Sequence, residues 1–184
     1  MEKNYPVFEN LEVAKNKITP SSTNLIFYKD AFSKTKFMNK IMDLFEPPVI
    51  YLDFDLLFSG YFESDNIIKP SNIEIIQPDS KNLKGLLPGI LTKISSQKTI
   101  LILDSLNGLY SFFDDHSAGR FVNSLIMLLH ANLKFSQSIL FITCLAKKKD
   151  DSLVLPTGGN ILEFENINRF EIKETDSKIQ INPV

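Results

Sequence analysis

A single carboxylate, Asp104, closes the apolar run Thr99-Ile-Leu-Ile-Leu-Asp104-Ser105. A run that short, preceded by Gln97 and Lys98, reads as a strand buried on both faces, the habit of a central parallel strand covered by helices. An aspartate at the carboxyl end of such a strand stands where open α/β sheets bind ligands, and there it can hold Mg²⁺ directly or through water. A second run, Val49-Ile-Tyr-Leu-Asp53-Phe-Asp55, ends in two carboxylates. Asp53 and Asp55 offer a general base and a metal partner, and the competing reading is that they cap the loop that follows. Lys147-Lys148-Lys149 offers salt-sensitive phosphate contacts, although Asp150 and Asp151 weaken the local field and a solvated charged loop is the alternative. Asp114-Asp115-His116 carries metal-capable atoms but has no second cluster nearby, so a polar loop competes. His130 lies within a helical pattern and reads as structural. Cys144 would be reactive only with a depressed pKa.

The elements that must position these residues alternate along the chain. Residues 1–22 read as a polar lead-in with a short helix over 9–18. Strands are expected at 24–28, 49–55, 72–76, 99–103 and 138–143, with closing strands at 161–165, 169–173 and 178–181. Phe37, Met38, Ile41, Met42 and Phe45 recur at helical spacing before Pro47-Pro48, with Ser33 or Thr35 as the cap. Asp79 or Ser80 caps a helix carrying Leu83, Leu86, Leu87, Ile90, Leu91 and Ile94, which Pro88-Gly89 should kink or split. Phe121, Val122, Leu125, Ile126, Leu129 and Leu133 mark a long amphipathic helix. Residues 56–68, 106–119 and 144–157 read as connections. Strands alternating with helices predict an α/β domain with a mostly parallel central sheet flanked by helices, and the closing strands read as partly antiparallel. One domain is expected, with 23–184 as its core.

Bulk composition narrows the classes. The chain has 184 residues, 43% hydrophobic and 23% charged, enough for a sizeable core. Its formal net charge of -2 gives no global basic field, so nucleic-acid or membrane binding would have to be local. The single cysteine excludes an internal disulfide and fits a reducing compartment. No leader pattern and no apolar run of bilayer length is present, so a cytoplasmic protein without membrane partners is expected.

Taken together, five segments resemble the RecA/RadA recombinase ATPase core and its KaiC-like relatives. Thr157-Gly158-Gly159-Asn160 is similar to the segment after the second DNA-binding loop of bacterial recombinases, and Arg169-Phe-Glu-Ile-Lys173 to the strand that follows it. Gln77-Pro78-Asp79-Ser80 is similar to the segment before the helix leading to the Walker B strand. Leu101-Ile-Leu-Asp104-Ser105 resembles the Walker B strand itself, and Tyr51-Leu-Asp53-Phe-Asp55 the strand bearing the catalytic glutamate. Order and spacing agree across 24–173. The resemblance implies a RecA-like P-loop NTPase fold. It also implies a nucleotide site at Lys34, Thr35, Asp104 and Ser105, with Mg²⁺ at Asp104 and DNA contact through 144–157 by Lys147, Lys148 and Lys149.

The site positions depart from that pattern. A phosphate loop reads Gly-x-x-x-x-Gly-Lys-[Ser/Thr]; here the window is Tyr28-Lys29-Asp30-Ala31-Phe32-Ser33-Lys34-Thr35. The Lys-Thr pair survives and both glycines, which let backbone N–H groups approach phosphates, are gone. Asp30 puts negative charge where phosphates would sit. The catalytic glutamate falls at Asp55, one methylene short, and the phosphate-sensing glutamine at Cys144. Loop, base and sensor are altered together, which points away from hydrolysis. The expectation is a RecA-like paralogue with a degenerate Walker A, a pseudo-ATPase serving as an assembly or regulatory module in recombination or repair. It would pair with itself or another protein; the connection aromatics Tyr61, Phe62, Phe112 and Phe113 read equally as partner contacts and as residues tucked into the core. The alternatives are an atypical ATP-binding protein or weak ATPase using Lys34, Thr35 and Asp104, and a DNA-binding accessory protein.

Overall fold

The computed structural model describes residues 7–64, 71–113, 118–149, 152–154, 166–175 and 178–184, with backbone alone for 147–149 and 152–154. Its strands are β1 (Val7–Glu9), β2 (Thr23–Tyr28), β3 (Val49–Asp53), β4 (Ile73–Ile76), β5 (Ile100–Asp104), β6 (Ile139–Leu145), β7 (Lys147–Lys149), β8 (Ser152–Val154), β9 (Ile167–Thr175) and β10 (Lys178–Pro183). Its helices are α1 (Leu11–Lys17), α2 (Ala31–Asp43), α3 (Leu57–Glu63), α4 (Leu83–Ser96), α5 (Leu106–Tyr110) and α6 (Ala118–Ser136).

Eight strands form one sheet in the order β1-β10-β9-β2-β6-β5-β3-β4. All neighbours are parallel except β9 and β10, which pair antiparallel. The apolar runs behave as their composition demands: every residue of β2, β3 and β5 is buried. Because side chains alternate across a strand, each run feeds two cores. Leu25, Leu52, Leu101, Leu103, Leu140 and Ile142 meet α4, α5 and α6, while Ile26, Tyr51, Ile102, Phe141, Phe170 and Ile181 meet α1, α2 and α3.

Several elements differ from the sequence expectation. Residues 7–22 are more than a lead-in: β1 pairs with β10, and Ala14 and Ile18 are buried. The expected connection over 56–68 contains α3, and that over 106–119 begins with α5. Both helices are too short for periodicity to reveal. Helix α4 runs through Pro88 without splitting. Pro88 and Gly89 lie on its exposed side, where water can take the carbonyl that proline leaves unpaired. The 144–157 connection carries the β7–β8 ribbon, paired antiparallel. The strand expected at 161–165 lies outside the described residues. Helix α5 packs so closely on the end of β3 that a Cβ at Gly108 would stand 2.9 Å from Phe54 Cβ.

Candidate functional site

Strand alternation selects the side chains that meet at the carboxyl edge. Tyr51 shares its face of the sheet with Ile102, Phe141 and α2. Two residues further along β3, β5 and β6, Asp53, Asp104 and Thr143 follow on that same face. The β3–β5 register sets Asp53 beside Asp104. Helix α2 then delivers Lys34 from above. Its Nζ donates to Asp104 Oδ1 at 2.7 Å and Oδ2 at 2.5 Å, with both side chains fully buried. Tyr51 donates to Asp104 Oδ2 at 2.5 Å, and the Thr143 hydroxyl donates to Oδ1. Lys34 also lies over the Tyr28 ring, 5.4 Å from its centroid. Both Asp104 oxygens and the lysine charge are thus engaged inside the protein. Burial, followed by the Asp104 charge, holds the Tyr28 and Tyr51 phenols far above their ordinary range, so both stay neutral.

The stretch corresponding to the phosphate loop is almost absent. Strand β2 ends at Tyr28 and α2 begins at Ala31, leaving Lys29 and Asp30 as the whole connection. Asp30 is the N-cap, in place of the expected Ser33 or Thr35. Its Oδ1 accepts from Ser33 N at 2.6 Å and Ser33 Oγ at 2.7 Å. Glu174, reaching across from β9, also accepts from Ser33 Oγ. In the first helical turn, which would present N–H groups to an anion, the Ser33 amide is taken by the Asp30 carboxylate. Thr35 turns inward and donates to the Ala31 carbonyl at 2.8 Å.

A second set of carboxylates lines the same edge. Asp53 Oδ2 accepts from Ser59 N at 2.8 Å and Ser59 Oγ at 2.6 Å, so Asp53 anchors the start of α3. Asp55 Oδ2 accepts from Ser105 Oγ at 2.7 Å, and Ser105 in turn caps α5 through Gly108 N at 3.2 Å. The remaining oxygens, Asp53 Oδ1 and Asp55 Oδ1, are buried without a hydrogen-bond partner. Burial raises both pKa values, and the neighbouring Asp104 charge raises them further. One oxygen from each of Asp53, Asp55 and Asp104 falls within 4.8 Å of the others.

Other residues singled out from sequence stand apart. Cys144 points to the opposite core from Asp104, and burial raises its thiol pKa, so it stays protonated. His130 meets Thr23 Oγ1 at 2.9 Å on the far side of the sheet from α2. Lys147, Lys148 and Lys149 form β7, with side chains outside the described residues, as are Asp114-Asp115-His116 and Thr157-Gly158-Gly159-Asn160. The connection aromatics pack on the domain itself: Phe112 meets Phe54 at 5.5 Å, Phe113 meets Phe121 at 4.8 Å and Tyr61 meets Phe32 at 5.2 Å between ring centroids. Sequence reasoning missed Tyr51, Thr143 and Glu174. The first two carried a readable signal, since a polar group inside a fully buried strand must find a partner.

A mostly parallel sheet between two helical layers, with carboxylates at the tips of adjacent strands, defines the class: this is an α/β protein with a RecA-like core. Among solved structures, the RadB recombinase is similar over 91% of this chain and 83% of its own, at 16% identity and a TM-score of 0.64. A KaiC-like protein from the hyperthermophilic archaeon Pyrococcus horikoshii OT3 is similar over 90% of this chain and 78% of its own, at 15% identity and a TM-score of 0.52. No protein-family model matches the sequence, and no curated protein matches it. At such identities the likeness is one of fold.

Proposed function

We propose that this chain is a RecA-like protein that has given up nucleotide hydrolysis and works as an assembly or regulatory module through protein contacts, in a recombination or repair setting. One observation carries the reading. Two groups that would greet a phosphate, the Ser33 amide in the first turn of α2 and the Lys34 ammonium, are already taken by Asp30 and Asp104. A triphosphate would have to displace a helix cap and break a fully buried ion pair. Its own negative charge would then approach Asp30 and Glu174. The residues present do not fit ATP with Mg²⁺: the Thr35 hydroxyl is turned into its helix, and both oxygens of Asp104 are taken by Lys34, Tyr51 and Thr143. The recombination setting follows the RadB likeness, which is one of fold.

The interaction half of the proposal is supported by α6, whose outward stripe leaves Met127, Leu128 and Phe135 exposed at 52%, 45% and 77%. Apolar side chains recurring on the solvent side of a helix are a feature of surfaces that meet other proteins. Calorimetric titration of the full chain with Mg-ATP tests the first half. No heat of binding is expected at millimolar nucleotide, and ATP turnover should match the buffer blank. Turnover well above that blank, lost in Lys34→Ala, would overturn the proposal.

A further inference from the structure

We propose that the outer face of α6, with the exposed side of α4 beside it, is a docking surface for an acidic amphipathic helix of another protein; the inference rests on the protein-contact reading above and names the partner's chemistry. Helix α6 has two apolar faces. Val122, Leu125, Ile126, Leu129 and Leu133 are buried in the core. On the opposite side Met127, Leu128 and Phe135 face solvent, and Phe135 is 77% exposed. A helix on a protein surface ordinarily carries charged and polar groups there. The core therefore accounts for one apolar face of α6 and leaves the other unexplained.

Charge selects the occupant. Helices α4 and α6 contribute Lys84, Lys93, Arg120 and Lys134, all exposed, and neither helix contains an aspartate or a glutamate. The whole chain has a formal net charge of -2, so this layer is positive in a protein that is negative overall. Among the described residues, Lys93 alone of the four is in an ion pair, with Glu74. A second copy of this chain would bring like charge against like charge, whereas an acidic partner meets a complementary field. Shape selects a helix over a flat surface. Beside α6, α4 turns Gly85, Pro88, Gly89 and Thr92 to solvent, and a Cβ added at either glycine would meet nothing within 4 Å. Each glycine weakens the helix relative to alanine, although nothing among the described residues requires it. The large side chains of α6 thus border a lower strip along α4, where an amphipathic helix can settle as in helix-in-groove recognition.

The test is a selection from a displayed library of helical peptides, unbiased in side-chain charge, against the full chain; the tightest binders are then synthesised and measured by fluorescence anisotropy. The enriched sequences should combine an apolar stripe at i, i+3, i+4 and i+7 with net negative charge. Phe135→Glu, an exposed change expected to melt within about 2 °C of wild type, should weaken them by at least about tenfold. Lys134→Glu should weaken them by about two- to fivefold. Affinity should also fall as added NaCl shortens the Debye length from about 10 Å to about 3 Å. Enriched sequences that are neutral or basic, binding unchanged in Phe135→Glu, or no binder at all overturns the surface. A dimer in sedimentation that dissociates on Phe135→Glu, or retention on anionic phospholipid vesicles that Phe135→Glu abolishes, overturns it as well, because either gives the face another occupant. Each of these failures leaves the proposed loss of ATP hydrolysis standing, whereas ATP turnover with peptide binding intact overturns only that loss.

Discussion

Asp104 and Lys34 form an ion pair with no exposed surface, and the stability of such a pair rests on both partners being present. Removing one leaves a buried uncompensated charge, at a cost of about 3–5 kcal/mol, whereas removing both is often close to neutral. Lys34→Met should therefore lower the unfolding free energy in urea by an amount in that range. Lys34→Met combined with Asp104→Asn should recover most of it, since asparagine keeps one acceptor oxygen for one of the Tyr51 and Thr143 hydroxyls and its amide can donate to the other. Equilibrium unfolding of the four proteins closes the cycle, and a loss under about 1 kcal/mol in Lys34→Met would mean that water reaches the pair. The position of Asp104 at a strand tip was legible from the apolar run before it. Its partners were not, because Tyr51 and Thr143 come from other strands and only the register brings them together.

At the level of elements, the greatest departure from the sequence reading lies at the start of α2. A phosphate-loop template treats 28–35 as loop, and that template hid a simpler local signal. Asp30 precedes Ser33 by three residues, the spacing at which an N-cap side chain reaches the N3 amide. Asp30→Ala should cost about 1 kcal/mol in urea unfolding, and Asp30→Asn much less, since it keeps the acceptor. Helix α6 supplies a second test. His130 approaches Thr23 Oγ1, and burial, aided by Lys134, holds its pKa below the ordinary value. A group depressed in the folded state leaves the unfolded chain to bind the proton first. Its contribution is therefore whole above about pH 6.5 and is lost as pH falls through the folded value. The stability difference between wild type and His130→Gln, measured by urea midpoints at pH 7.5 and about two units lower, should shrink in wild type's disfavour on acidification. A difference that does not move with pH would leave His130 without a titrating role.

Across the whole molecule, the long elements and the edge strand β4 were readable, and the opposite edge strand β1 was not. Strands β2, β3, β5 and β6 declare themselves because a strand buried on both faces is a nearly continuous apolar run. Strand β1 spans three residues, too few for a pattern, and exists because β10 offers it a ladder: Val7, Phe8 and Glu9 pair with Lys178, Ile179 and Gln180. Glu9 adds hydrogen bonds to Lys178 and Gln180, both at 2.8 Å. The side chains of β10 that face inward, Ile179 and Ile181, are fully buried, so this strand links the sheet edge to the core beneath α1. Deleting residues 1–9 turns β10 into an edge strand and removes a short ladder whose hydrogen bonds each contribute about 0.5–1.5 kcal/mol. Amide exchange of 178–182 should accelerate by roughly tenfold or more, while that of 100–104 in the sheet interior should keep its wild-type rate. Hydrogen exchange read by mass spectrometry separates the two segments. Equal acceleration in both would mean that β1 secures the whole sheet rather than its border, and unchanged exchange in 178–182 would mean that β9 alone holds β10.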